Sequence, residues 1–189
     1  MRQMIAFVLS LFFAVALVSA QEKPAASPPQ AEKPAPPAAK SEDVSSPDAI
    51  LAALYDVISG PAGKRDWDRM RSLFAPGARM IPTRRDAQSG EFRPVMLDVE
   101  GYISRSAPFL EREGFFEMEI ARRSERFGNI LHAFSTYESR HKADDPAPFA
   151  RGINSIQLCF DGKRWWIITI YWQGESADNP LPKEYLPAR

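Results

Sequence analysis

FFEMEIARRSERFGNILHAFSTYESRHKADDPAPFARGINSIQLCFDGKRWWIITIYWQ, residues 115–173, decides the fold. Apolar and polar residues alternate through it with a period of two, the mark of half-buried strands. Gly128-Asn129 and Asp161-Gly162 are two-residue hairpin signals. Four strands follow, over 115–127, 130–141, 150–160 and 164–173, with a longer loop around Ala143-Asp144-Asp145-Pro146.

Upstream of Phe115 the apolar period is helical. Ser46-Pro47-Asp48 opens a helix carrying Ile50, Leu51, Leu54, Val57 and Ile58, and Gly60-Pro61 closes it. Asp66 caps a shorter helix with Trp67, Met70, Leu73 and Phe74, ended by Pro76-Gly77. Arg79–Thr83 and Phe92–Leu97 read as short strands. Asp98 caps a third helix, with Tyr102, Ile103, Phe109 and Leu110 on its apolar side and a kink at Pro108. Three helices followed by an antiparallel meander predict an α+β domain over 48–175, with helices on one sheet face.

The first 47 residues differ in kind. Arg2, an apolar run from Met4 to Val18, and Val18-Ser19-Ala20 predict a secretory signal peptide over 1–20. That run is shorter than the roughly 20 residues of a membrane span, so no span is expected after cleavage. An uncleaved anchor is the alternative. Residues 21–47 hold seven prolines and six alanines, with Val44 their only large aliphatic side chain. This predicts a disordered tether, and an exported protein, periplasmic or secreted. Residues 176–189 read as a C-terminal tail packed on the domain.

The chain has 189 residues with 24 basic and 24 acidic side chains, so a basic nucleic-acid-binding surface is not expected. Cys159 is the sole cysteine, which rules out an intramolecular disulfide and a cysteine-rich metal site. His132 and His141 are nine positions apart, so they face opposite ways on one strand. There is no phosphate-binding glycine loop, no HExxH and no calcium loop. No cofactor and no metal is expected.

DWDRMRSLFAPGARMIP (66–82), DVEGYISR (98–105) and RGINSIQLCFDGKRWWIITIYWQGE (151–175) together resemble the nuclear transport factor 2-like superfamily, in its SnoaL-like group. The resemblance covers 48–175. It implies a cone-shaped half-barrel in which a curved sheet wraps a long helix and leaves a pocket at the open end. It also implies frequent dimerisation through the outer sheet face. Members include isomerase-like and cyclase-like enzymes as well as non-enzymatic modules, so the fold alone does not assign an activity.

Strand alternation predicts which side chains face that pocket. Two-residue turns set Ile120 opposite Tyr137, Arg122 opposite Ser135, and Asn154 opposite Thr169; centring the 141–150 loop sets Tyr137 opposite Asn154. The expected pocket residues are Arg122, Tyr137, Asn154, Thr169 and Tyr171, walled by Ile120, Ile156, Trp165 and Ile167. The concave face would also carry Phe116 and Met118. The alternative is that these polar groups satisfy one another in a closed core. The outer face would carry Glu117, Glu119, Glu138 and His132. Its apolar side chains Phe134, Ile153, Trp166, Ile168, Ile170 and Trp172 predict a homodimer face, unless the tail covers it. Tyr55 and Glu100 could reach the cone mouth. With no acid or base turned inward, the expected function is an exported module that binds a small apolar ligand or a partner, without catalysis. The alternative is a SnoaL-like isomerase, cyclase or dehydratase acting on a hydrophobic carbonyl compound, with Tyr137 polarising an oxygen and Asn154 and Arg122 assisting.

Overall fold

The computed structural model describes residues 35–187. The expected signal peptide and residues 21–34 of the expected tether lie outside the described residues. Four helices, α1 (Ser41–Val44), α2 (Pro47–Ile58), α3 (Trp67–Leu73) and α4 (Val99–Arg112), accompany six strands. These are β1 (Phe74–Arg85), β2 (Phe92–Pro94), β3 (Phe116–Phe127), β4 (Ile130–Arg140), β5 (Ala150–Phe160) and β6 (Trp165–Gly174). They form one curved, unclosed sheet in the order β2-β1-β6-β5-β4-β3. The sheet is mixed rather than antiparallel throughout, because β1 runs parallel to β6. β1 is also longer than the expected Arg79–Thr83. It starts directly at the end of α3, and its pairing with β6 slips between Phe74 and Arg79, where Gly77 takes a φ of +82°.

Capping sets where the helices begin. Ser46 accepts from the Ala49 N–H at 3.0 Å, Asp66 from Arg69 at 2.9 Å and Asp98 from Gly101 at 2.9 Å. Helix α2 then lays Ile50, Leu51, Leu54, Val57 and Ile58, all buried, into the concave sheet. Each buried aliphatic side chain contributes about 1.5–3 kcal/mol. Met70, Leu73, Phe74, Ile156, Leu158 and Ile167 close the core. The ordered domain begins before Asp48. Helix α1 buries Val44, and Arg69 binds Asp43 at 2.8 Å and also reaches Asp56, tying α1 and α2 to α3. That hydrogen-bonded arginine holds the Asp43 carboxyl below its usual range.

Two single-residue irregularities decide which side chains face inward. The β3–β4 hairpin begins as expected, with Phe127 opposite Ile130 and Arg122 opposite Ser135. The register then shifts between Glu119 and Ala121, leaving Ile120 as an extra residue, so Glu119 sits opposite Tyr137 and Glu117 opposite Ser139. An extra residue in a strand reverses the facing of everything beyond it. Glu117 and Glu119 therefore join the concave face, and Met118, expected inside, is 52% exposed. The same happens in β6. Leu158 pairs with Ile167 but Gln157 pairs with Thr169, so Ile168 is extra and Ile156 faces Ile170 while Asn154 faces Trp172. The Asp161-Gly162 turn is also wider than two residues: Phe160 pairs with Trp165, and the Asp161 carboxylate accepts from the Lys163 and Arg164 N–H groups, each at 2.8 Å.

The outer face is covered in part by the tail. Tyr185 packs edge-on against Phe134 with ring centroids 5.0 Å apart, and the Thr136 hydroxyl donates to the Tyr185 carbonyl at 2.7 Å. Arg123 donates to the Glu184 carbonyl at 2.9 Å. The Glu175 carboxylate accepts from the Leu181 N–H at 3.0 Å and from Arg151 at 2.8 Å. Of the side chains expected at a dimer face, Phe134 lies against Tyr185, and Ile153 lines a groove with Leu181 and Tyr185. Ile170 and Trp172 turn inward, a correction forced by the extra residue at Ile168. Trp166 donates to Asp161 at 2.7 Å and carries the Arg164 guanidinium over its ring. Ile168 remains, at 38% exposed.

Candidate functional site

A cavity of about 120 Å³ opens between α2, α4 and the concave side of the sheet. Leu54, Ile58, Met80, Phe115, Ile170 and Trp172 supply its apolar wall; Tyr55, Tyr102, Glu117, Tyr137 and Asn154 supply its polar groups. Sites for drug-sized ligands run to about 300–1,000 Å³, so this one suits a much smaller molecule. A roomier groove of about 560 Å³ beside Ala35–Pro37 and Pro76–Ala78 is lined also by Arg71 and Glu100, but these two are paired with each other at 2.6 Å.

Glu117 is placed by two anchors. Its N–H donates to the Ser59 hydroxyl at 2.9 Å, at the end of α2, and Gly60 and Phe115 exchange backbone hydrogen bonds at 2.7 and 3.0 Å. With the extra residue at Ile120, these hold its side chain toward the cavity. Glu117 is half-buried by surface, yet its carboxyl is packed closely enough that burial pushes it up to about 7. A hydrogen bond from the Ser139 hydroxyl, at 2.8 Å, pulls back only weakly, and no cation offsets the burial among the described residues. Burial, reinforced by the Glu117 charge, raises Tyr102 to about 12 and pushes Tyr137 up as well. The Tyr137 hydroxyl thus stays protonated at any physiological pH. Its ring lies across Gly152, where a Cβ would collide with the Tyr137 hydroxyl and the Gln173 carbonyl. No hydrogen bond joins Glu117 to Tyr137 among the described residues, so both present polar atoms to the same space.

A second set of groups forms a chain. The Asn154 Nδ2 donates to the Tyr55 hydroxyl at 3.0 Å, which meets the Ser135 hydroxyl at 2.7 Å. Ser135 donates to the Glu119 carboxylate, which pairs with Arg122 at 3.1 Å, and Arg122 reaches Asp48 at 2.6 Å. The chain runs from the cavity to the start of α2.

No family model matches the chain, and no curated protein does. Solved structures do. A protein of unknown function with a cystatin-like fold from Nostoc punctiforme PCC 73102 is 11% identical, with a TM-score of 0.50 over 68% of this chain and 87% of that one. An NTF-2-like protein of unknown function from Silicibacter pomeroyi DSS-3 is 13% identical, with a TM-score of 0.44 over 68% and 92%. A ketosteroid isomerase candidate from Parabacteroides distasonis ATCC 8503 is 11% identical, with a TM-score of 0.47 over 69% and 89%. The chain shares the fold of the Nostoc protein, which is cystatin-like. Identities this low speak to the fold and leave the chemistry to the cavity.

Within this fold, the expected pocket residues separate. Tyr137 and Asn154 line the cavity. They are not directly opposite: Asn154 pairs with Ser135 and Tyr137 with Gly152, a slip of two that preserves facing. Arg122 keeps its facing opposite Ser135 but is engaged by Asp48 and Glu119 at the sheet edge. Thr169 and Tyr171 turn outward because Ile168 is extra, and Tyr171 is 43% exposed. Of the expected wall, Ile156, Trp165 and Ile167 are buried core rather than cavity lining, and Ile120 is the extra residue of β3. Glu100 pairs with Arg71, Glu138 with Arg140, and His132 lies 3.0 Å from the Ser155 hydroxyl. Sequence reasoning missed Glu117, Tyr102, Phe115 and Trp172. One signal was present: Ser135 and Ser139 share a parity, and two hydroxyls on a concave face call for acceptors opposite. Glu119 and Glu117 supply them; Ile120 and Met118 cannot.

Proposed function

We propose that the cavity is a proton-transfer site for a small, neutral carbonyl compound. Glu117 takes a proton from the carbon beside the carbonyl, and the electron pair of that C–H bond moves onto the carbonyl oxygen. The Tyr137 hydroxyl donates to that oxygen as its negative charge grows. Return of the proton from Glu117 to carbon completes an isomerisation or exchange with no other reactant. The observation that carries this reading is the inward Glu117 carboxyl, held near neutrality beside an unengaged tyrosine hydroxyl. A carboxyl in that range both accepts and gives up a proton at pH 7. The expectation of a non-catalytic module assumed that no acid or base points inward, and Glu117 removes that assumption. The signal peptide expected over 1–20 would place this chemistry outside the cytoplasm.

The test is deuterium exchange at the α-carbons of pentan-3-one in D2O, followed by NMR. The full chain is expected to accelerate exchange over buffer. Glu117→Gln should lower the enzymatic rate at least about 100-fold, and Tyr137→Phe on the order of 100-fold. A protein that binds pentan-3-one without accelerating its exchange is a carrier, and that result overturns the proposal.

A further inference from the structure

The hydrogen-bond chain behind the cavity fixes which way the Asn154 amide points. The Ser135 hydroxyl donates to the Glu119 carboxylate, so its single proton is committed there. Ser135 therefore has only its lone pairs to offer Tyr55, and the Tyr55 proton goes to Ser135, 2.7 Å away. Tyr55 must then accept from Asn154, which turns the N–H group to it at 3.0 Å. The order of donors along the chain thus fixes the amide orientation. The amide oxygen, Oδ1, is left over. No buried side-chain polar atom lacks a partner among the described residues, and none bonds Oδ1, so this oxygen is open to the cavity that Asn154 lines.

We infer that the molecule bound here carries a hydrogen-bond donor beside its carbonyl, and that this is a small hydroxy-carbonyl compound whose hydroxyl donates to Asn154 Oδ1 while its carbonyl accepts from Tyr137. The inference rests on reading the cavity as a carbonyl site and adds the second group that the substrate must present. The spacing suits it. The Tyr137 hydroxyl lies over Gly152, two residues from Asn154 on the same strand, or about 7 Å along β5. Two hydrogen bonds converging from that spacing meet a carbonyl and a hydroxyl on neighbouring carbons. The cavity of about 120 Å³ also admits a molecule of this size and little more.

The probes are 1-hydroxybutan-2-one and pentan-3-one, which differ only by a hydroxyl in place of a methyl group. A purely apolar pocket favours the methyl, since the hydroxyl loses its water without replacement. Titration of the full chain by calorimetry or ligand-observed NMR is expected to show the hydroxyketone binding about tenfold more tightly. In Ser135→Ala the Tyr55 proton is released, the Asn154 amide is free to turn, and the preference should fall toward one while pentan-3-one binding is retained. Equal binding of the two ketones by the unaltered chain overturns the inference and leaves the carbonyl site standing. Failure to bind either ketone removes both. A preference unchanged in a folded Ser135→Ala protein overturns the role given to the chain. The comparison on the unaltered chain does not depend on any variant folding.

Discussion

Glu117 concentrates the tension between stability and chemistry. Burial holds its carboxyl at about 7, against 4.5 for an ordinary glutamate. Between those values the folded protein keeps a proton that the unfolded chain releases. The residue therefore favours folding most below pH 4.5, and that contribution is lost as the pH rises through 7. Glu117→Gln removes the penalty of burying a charge. Urea unfolding at pH 8 should show this variant more stable than the natural chain by on the order of 1–2 kcal/mol, with the gap closing toward pH 4. A variant equally stable at both pH values would mean that the carboxyl titrates as if in water. Catalysis takes the opposite side: exchange by the natural chain should rise with pH through about 7, as the basic form fills. A residue that is worse for stability where it is better for proton transfer is what a working site, rather than a packed core, retains.

Strand β3 shows how one residue can redirect a whole surface. Ile120 is the surplus residue; on either side of it the pairing with β4 is regular. Deleting it leaves Ala121 opposite Thr136 and Glu119 opposite Tyr137, now in unbroken alternation, with Glu119 and Glu117 still inward. The Ile120 deletion is therefore expected to fold and to keep its ketone exchange rate within about tenfold of the natural chain, since the reacting groups keep their places. Loss of exchange in a folded deletion variant would show that the irregularity itself aims the carboxyl. Strand β6 carries the matching irregularity at Ile168, which moves Trp172 into the cavity wall and Tyr171 out of it. Were Ile120 and Ile168 kept but paired in unbroken register, the cavity would lose its carboxyl and one of its aromatic walls together.

For the molecule as a whole, the tail and the outer face belong together. Thr136 is fully buried there and gives its proton to the Tyr185 carbonyl, while Arg151 and Leu181 converge on Glu175. Removing residues 176–189 would strip the cover from Phe134 and Ile153 and leave the Thr136 hydroxyl without its acceptor. The expected outcome is a loss of stability of about 1–3 kcal/mol by urea unfolding. Uncovered, that face is the natural surface for self-association, so sedimentation velocity should show the truncated chain shifting toward a dimer relative to the full one. If the two sediment alike and unfold alike, the tail contributes nothing to the outer face.

Some of this was dictated locally. Ser46, Asp66 and Asp98 start helices because a short side-chain oxygen beside the first free N–H groups is a purely local arrangement. The Gly128 turn sets the first pairs of β3 and β4 in the same way, and the α+β layering follows from the change of period near Phe115. The ordering of Val44 was beyond composition, because its burial depends on Arg69 reaching back to Asp43 from another helix. The parallel pairing of β1 with β6 likewise joins segments far apart in the chain. The cavity was half legible. Tyr137 and Asn154 keep their facing because a register slip of two leaves parity intact, whereas Glu117, Ile170 and Trp172 reverse because a single extra residue does not. The sequence by itself determined the elements, their caps and the hairpin order, which rest on neighbours a few residues apart. Only the tertiary structure decided where the strands absorb their extra residues, because that is settled by which hydroxyls, carboxylates and rings must share the inside of the cone.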